Sequence, residues 1–183
     1  WTAAGAILLP LAFVALFYAG VTPRPDAPAT AIVRDPRFSL HVLPAILGFC
    51  FLALAFGAAV LYLAEQGLLK RKRAALLFAR MPPLAPLGSA AHRLAVVGFT
   101  LLTLALGSGV LWALSWPEWH RWYVEPKTLT TLIAWLVYAV YLAYNHLAGW
   151  RGRRSCYLLI AGFTMVLVAY FGVRHFWSRL PGF

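Results

Sequence analysis

The stretch Val42–Ala64, VLPAILGFCFLALAFGAAVLYLA, contains no Asp, Glu, Lys or Arg and decides the fold class. A helix rises about 1.5 Å per residue and the hydrocarbon core of a bilayer is about 30 Å thick, so roughly 20 such residues cross it. Lipid offers the backbone no hydrogen-bond partner, which makes a helix the form this stretch takes. Four further stretches read the same way: 3–19, 94–114, 129–148 and 156–176, the last interrupted only by Arg174 near its end. The sequence therefore predicts an all-α, polytopic membrane helix bundle with five transmembrane helices in one transmembrane domain, 1–183. The first span is short and contains Pro10, which removes a helix hydrogen bond and predicts a kink there. The chain opens at Trp1 in an apolar run without signal-peptide order, so an upstream part is expected.

Composition agrees. Charged residues make up 11% of the 183 residues and hydrophobic ones 62%, with a mean hydropathy of +0.76, whereas soluble domains carry about 25% charge. A net charge of +11 points to nucleic acid in a soluble protein, but the placement of the basic residues answers to a bilayer instead. The connector 65–93 holds Lys70, Arg71, Lys72, Arg73, Arg80 and Arg93, and the turn 149–154 holds Arg151, Arg153 and Arg154. Together they carry more than half of the 16 Lys and Arg, opposed only by Glu65. The positive-inside rule places both connectors on the cytoplasmic side of a bacterial inner membrane. Nucleic acid is excluded as a partner, and membrane lipids are expected. Two cysteines, Cys50 and Cys156, form no CxxC or haem-attachment motif. The spans carry no embedded carboxylate, which argues against an ion-coupled transporter.

Histidine is the residue type here best suited to ligate a metal. His41, His120 and His175 fall on the outer side, and His92 and His146 on the inner side. Helical spacing of about 100° per residue sorts their neighbours. His41 shares a face with Ala45, Gly48, Leu52, Ala55 and Ala59, and His92 shares one with Phe99 and Thr103. The fourth span has the most polar and aromatic stripe, Thr128, Thr131, Trp135, Tyr138, Leu142 and His146, and on the fifth span His175 aligns with Tyr157, Thr164, Val168 and Phe171. Trp119 and Trp122 flank His120 in the outer loop. Small residues also mark close helix approach, and helix-end histidines also serve as interfacial groups. Haem iron needs one or two neutral imidazoles in an apolar slot with polar groups orienting the rings. His41 with His175, as iron ligands, and His92 with His146 are the candidate pairs, with His120, Trp119, Trp122, Trp135 and Tyr138 as further haem-binding candidates.

Specific strings carry a resemblance. Ala79–Leu84 (ARMPPL), Leu132–Tyr138 (LIAWLVY), Gly149–Arg154 (GWRGRR) and Ala169–Gly172 (AYFG) resemble the carboxyl-terminal half of the CcsA/ResC/HemX cytochrome c assembly superfamily, closest to its short YpjD branch. The similarity covers about 38–176, and the resemblance implies eight spans in the complete protein. It also implies haem carried to an external site bounded by two outer histidines and a tryptophan-rich loop ending in a WDPKE-like string. His41 matches the first outer histidine, while His175 lies near the second but out of register. The loop keeps Trp122, Pro126 and Lys127 but has Val124 and Glu125 in place of Trp and Asp. The synthases' membrane histidine aligns with Ala143, one turn before His146.

The function expected is a membrane haem-handling or cytochrome c assembly protein that binds haem b through histidines rather than forming thioether bonds. Alternatives are a structural accessory subunit of a larger membrane complex without a ligand, and a bis-histidine electron carrier. Possible partners are cytochrome assembly or other membrane-complex subunits. Removing an axial imidazole deletes the iron's protein bond. His41→Ala is therefore expected to lower haem retention more than His120→Ala, with His92→Ala and His146→Ala between them, as read from the Soret absorbance of detergent-purified protein at equal expression.

Overall fold

A computed structural model describes Ala12 and residues 36–70, 84–114, 126–147 and 152–167. The described residues form α1 (Pro36–Lys70), α2 (Leu84–Ala113), α3 (Pro126–Leu147) and α4 (Arg153–Leu167). Three segments, Ser39–Leu68, Ala85–Ala113 and Thr128–Leu147, are long and apolar enough to cross a bilayer. Of the span expected at 3–19 only Ala12 is described, and the expected continuation of α4 to 176 lies outside the described residues.

The connector expected at 65–93 is shorter at both ends, because α1 runs on through Lys70 and α2 begins at Leu84. Hydropathy marks where a chain enters lipid, whereas the intrahelical hydrogen bonds continue into the interface. One consequence is that His92, expected at a helix end, lies about two turns inside α2.

α1 and α2 run antiparallel and meet through small side chains. Gly48, Leu52, Ala55 and Ala59 turn inward on α1, as their shared face predicts, and meet the buried row Ala91, Ala95, Gly98, Leu102 and Ala105 of α2. The approach is close enough that a Cβ on Gly48 would lie 3.1 Å from the Leu102 amide nitrogen and 3.2 Å from the Gly98 carbonyl oxygen. Neither atom belongs to a side chain that could swing away. Close packing of this kind joins membrane helices where lipid supplies no hydrophobic drive between them.

α3 and α4 form a second antiparallel pair. The Tyr138 ring lies on Gly162, where a Cβ would fall 2.9 Å from two of its ring carbons. α4 returns to α1 through Phe56 and Phe163, with ring centroids 5.0 Å apart. α2 reaches α3 through long side chains: Phe99 stacks on Trp135 at 5.4 Å, and the Trp135 indole N–H donates to Thr103 Oγ1 at 2.9 Å. The helices thus contact in the cyclic order α1, α2, α3, α4 and back to α1.

Two expected faces are rotated in the structure. On α3 the buried positions are Ala134, Tyr138 and Tyr141, so the stripe through Trp135, Leu142 and His146 lies at the edge of the contact, with His146 exposed. On α4 Tyr157 and Thr164 are exposed, and the inward face is Ser155, Cys156, Leu159, Gly162, Phe163 and Val166. Periodicity groups residues onto one face, but the neighbour decides which face turns in, and here Gly162 accepts the Tyr138 ring.

Overpacking a tight contact costs about 1–3 kcal/mol. Gly48→Ala is expected to destabilise the folded protein by this order, while Gly67→Ala, whose Cβ meets nothing within 4 Å, leaves stability unchanged or slightly raised. Reversible unfolding in detergent measures both.

Candidate functional site

The four helices bring polar groups together at one end of the bundle, the end joined by the two basic connectors. α1 contributes Tyr62, α2 His92 and Arg93, and α3 Tyr141, Asn145 and His146, while α4 supplies Ser155 and Cys156; all line one cleft of about 1020 Å³. Ligand pockets typically measure about 300–1,000 Å³, which puts this cleft at the top of that range. Its remaining walls are largely apolar, some small, such as Ala85, Gly88 and Ala91, and some larger, such as Leu142 and Leu159.

A hydrogen-bonded chain organises the floor. His92 Nδ1 and the Tyr141 hydroxyl are 3.1 Å apart. Asn145 Nδ2 donates to Ser155 Oγ at 2.6 Å and to the Tyr141 carbonyl at 3.2 Å. The chain joins α2, α3 and α4, so ring orientation at His92 depends on three helices. Tyr141 is 1% exposed, and in this setting each hydroxyl needs its partner. Gly152 closes the cleft beside Tyr62. Its φ of +91° favours glycine, and a Cβ there would lie 3.2 Å from the Tyr62 hydroxyl. Arg153 stands outside, with its Nε donating to the Tyr157 hydroxyl at 3.0 Å.

The opposite end holds His41. Its Nδ1 lies 2.8 Å from the Ala105 carbonyl oxygen, and its ring centroid lies 6.1 Å from that of Trp112. The sequence-predicted residues thus divide. His92 and His146 share the cleft, and His41 stands apart from them at the other end. Trp135 engages Thr103 and Phe99, and Tyr138 is fully buried against Gly162. His120, Trp119, Trp122 and His175 lie outside the described residues. Among the described residues no three of the His, Cys, Asp and Glu side chains gather to hold a metal ion; a haem iron needs only one or two imidazoles. Sequence reasoning missed Tyr141, Asn145 and Ser155. The signal was present in Asn145, an amide inside an apolar span, with Tyr141 one turn and Tyr138 two turns before it.

The described residues define an all-helical membrane protein with imidazoles near both ends of its bundle. A sequence profile described as Cytochrome C assembly protein matches residues 2–180, and the chain belongs to that family. Similar relatives include the cytochrome c biogenesis protein CcsA of Prochlorococcus marinus strain MIT 9303, 44% identical over 89 residues, which are 48% of this chain and 27% of the relative. The CcsA of strain NATL1A is also 44% identical over 89 residues, covering 48% of this chain and 28% of the relative. The CcsA of strain MIT 9312 is 43% identical, again over 89 residues and with the same two coverages as NATL1A. The matched part is thus little more than a quarter of those relatives. No solved structure matches the chain.

Hydrogen bonds between membrane helices contribute about 0.6–2 kcal/mol. Tyr141→Phe is expected to cost about 1 kcal/mol of stability on that scale. Tyr138→Phe should cost less, since the Tyr138 hydroxyl meets the Leu159 carbonyl only at 3.5 Å, the far limit of a hydrogen bond. Unfolding of the two variants in detergent tests the order.

Proposed function

We propose that this chain is the haem-handling part of a cytochrome c assembly protein, holding haem b without forming thioether bonds itself. The observation that carries the reading is the convergence of His92 and His146, from different helices, on one largely apolar cleft. The donor set fits the group. Neutral imidazole is the commonest protein ligand of haem iron, and small walls such as Ala91 leave room for a flat macrocycle. Tyr141 orients His92, as an outer partner fixes a ligating imidazole. Arg93 at the cleft edge is placed to meet propionates. His41 is a separate ligand at the far end, with His175 as its proposed partner and Trp119, His120 and Trp122 as the proposed outer wall.

When bound, the haem supplies an iron centre that the chain itself lacks, and the residues of the chain bind it, orient the imidazoles and exclude water. Val124 and Glu125, in the loop where the synthases carry Trp and Asp, support handling over ligation. The protein lies in a bacterial inner membrane with the basic connectors that join α1 to α2 and α3 to α4 in the cytoplasm. Lipid tails cover exposed rows such as Leu132, Leu136 and Val140, and helices of other assembly subunits complete the bundle.

Haemin loaded onto the detergent-purified chain is expected to give a Soret band and to extract into acid acetone as haem b. His92→Ala and His146→Ala should each lower retained haemin. A parent protein with no Soret band after loading would remove the reading in favour of a ligand-free structural subunit.

A further inference from the structure

We propose that the α2 turn from Ala105 to Gly109 is a positioning device for His41, fixing its ring as the Nδ1–H tautomer so that Nε2 is the atom presented to haem iron. The inference rests on the reading of His41 as a haem ligand and adds how the ring is held. Three observations carry it.

The first is a matter of donors. A carbonyl oxygen only accepts, so in the 2.8 Å contact between His41 Nδ1 and the Ala105 oxygen the proton sits on Nδ1. A neutral ring with that proton keeps its lone pair on Nε2, and a lone pair on a neutral imidazole is what iron requires. A hydrogen bond from the distal N–H also raises the ring's basicity as a ligand.

The second is space. A Cβ on Gly109 would lie 2.8 Å from His41 Cε1 and 2.9 Å from Nδ1, but 3.7 Å from Nε2. The ring therefore presses its Nδ1 edge onto the glycine, and the crowding falls away toward Nε2. The third is the wall. Trp112 stands almost one turn beyond Gly109 with its ring tilted 43° to the imidazole, so Ala105, Gly109 and Trp112 bound the ring from one face of α2. Ser108 Oγ donates to the same Ala105 oxygen at 3.0 Å, sharing the acceptor.

Gly109→Ala forces the ring off this seat. Gly107→Ala on the same helix adds a Cβ that meets nothing within 4 Å, and serves as the control for helix integrity. The experiment uses the full chain labelled with ¹⁵N-histidine in detergent, with His41 assigned by its loss in His41→Gln, and haemin retention after gel filtration as a second readout. The parent and Gly107→Ala are expected to show a protonated Nδ1 and an unprotonated Nε2 at His41 in the haem-free state. Gly109→Ala should show mixed tautomers and retain haemin about tenfold more weakly, the lower end of what losing an orienting partner costs a metal site.

A parent ring protonated at Nε2 overturns the proposal. So does haemin loss in Gly109→Ala with the Nδ1–H tautomer intact, which assigns the glycine a purely structural role. Parental haemin retention in His41→Ala overturns the haem reading of His41 and the positioning role with it, while the tautomer spectra still show separately whether Ala105 holds the ring.

Discussion

The rest of the bundle depends on the backbone approach of α1 and α2 at Gly48 and Gly98. Lipid tails are as apolar as leucine, so two membrane helices gain little by hiding apolar surface from them. They gain instead by dispersion between closely fitted surfaces, and that requires the absence of side chains where the backbones meet. Gly98 would bring a Cβ within 2.8 Å of Leu52 side-chain carbons and 3.0 Å of its amide nitrogen, so the two glycines face the partner helix reciprocally. This contact sets the register of the pair. His41 then meets Ala105 and Gly109, and Tyr62 meets Gly88.

From that register the two ends of the bundle acquire different chemistry. At one end the His41 imidazole is seated on one helix turn and bonded to a carbonyl. At the other, three helices share a chain of hydroxyl, amide and imidazole groups beneath a cleft. In an apolar surround, polar groups must satisfy one another, so the chain from His92 to Asn145 stiffens the cleft as well as lining it. The chain belongs to the cytochrome c assembly family, and the haem-handling role proposed for it is what would give oriented imidazoles at both ends a common use.

Several features were legible in the residues. The small-residue face of α1 offered either close helix approach or room for a flat ring, and Gly48, Ala55 and Ala59 serve the first, because α2 fills the space they leave. His92, Phe99 and Thr103 were placed together by spacing, and all three do meet α3, through Tyr141 and Trp135. The faces of α3 and α4 were rotated because each helix carries hydroxyls and rings around more than one side. Thr131, Trp135 and His146 read as a stripe as readily as Ala134, Tyr138 and Tyr141.

The sequence by itself determined the class of the protein: helical, membrane-embedded, basic on one side, with histidines outside the middle of the apolar spans. Those properties follow from composition and period, which act on each segment separately. Only the tertiary structure decided that His92 and His146 share a cleft, that Tyr141 rather than Tyr138 serves it, and that Gly109 seats His41. Each of these is a relation between two helices. Its value depends on rotation and register set by backbone contacts such as Gly48 with Gly98, and no single helix carries that information in its own period.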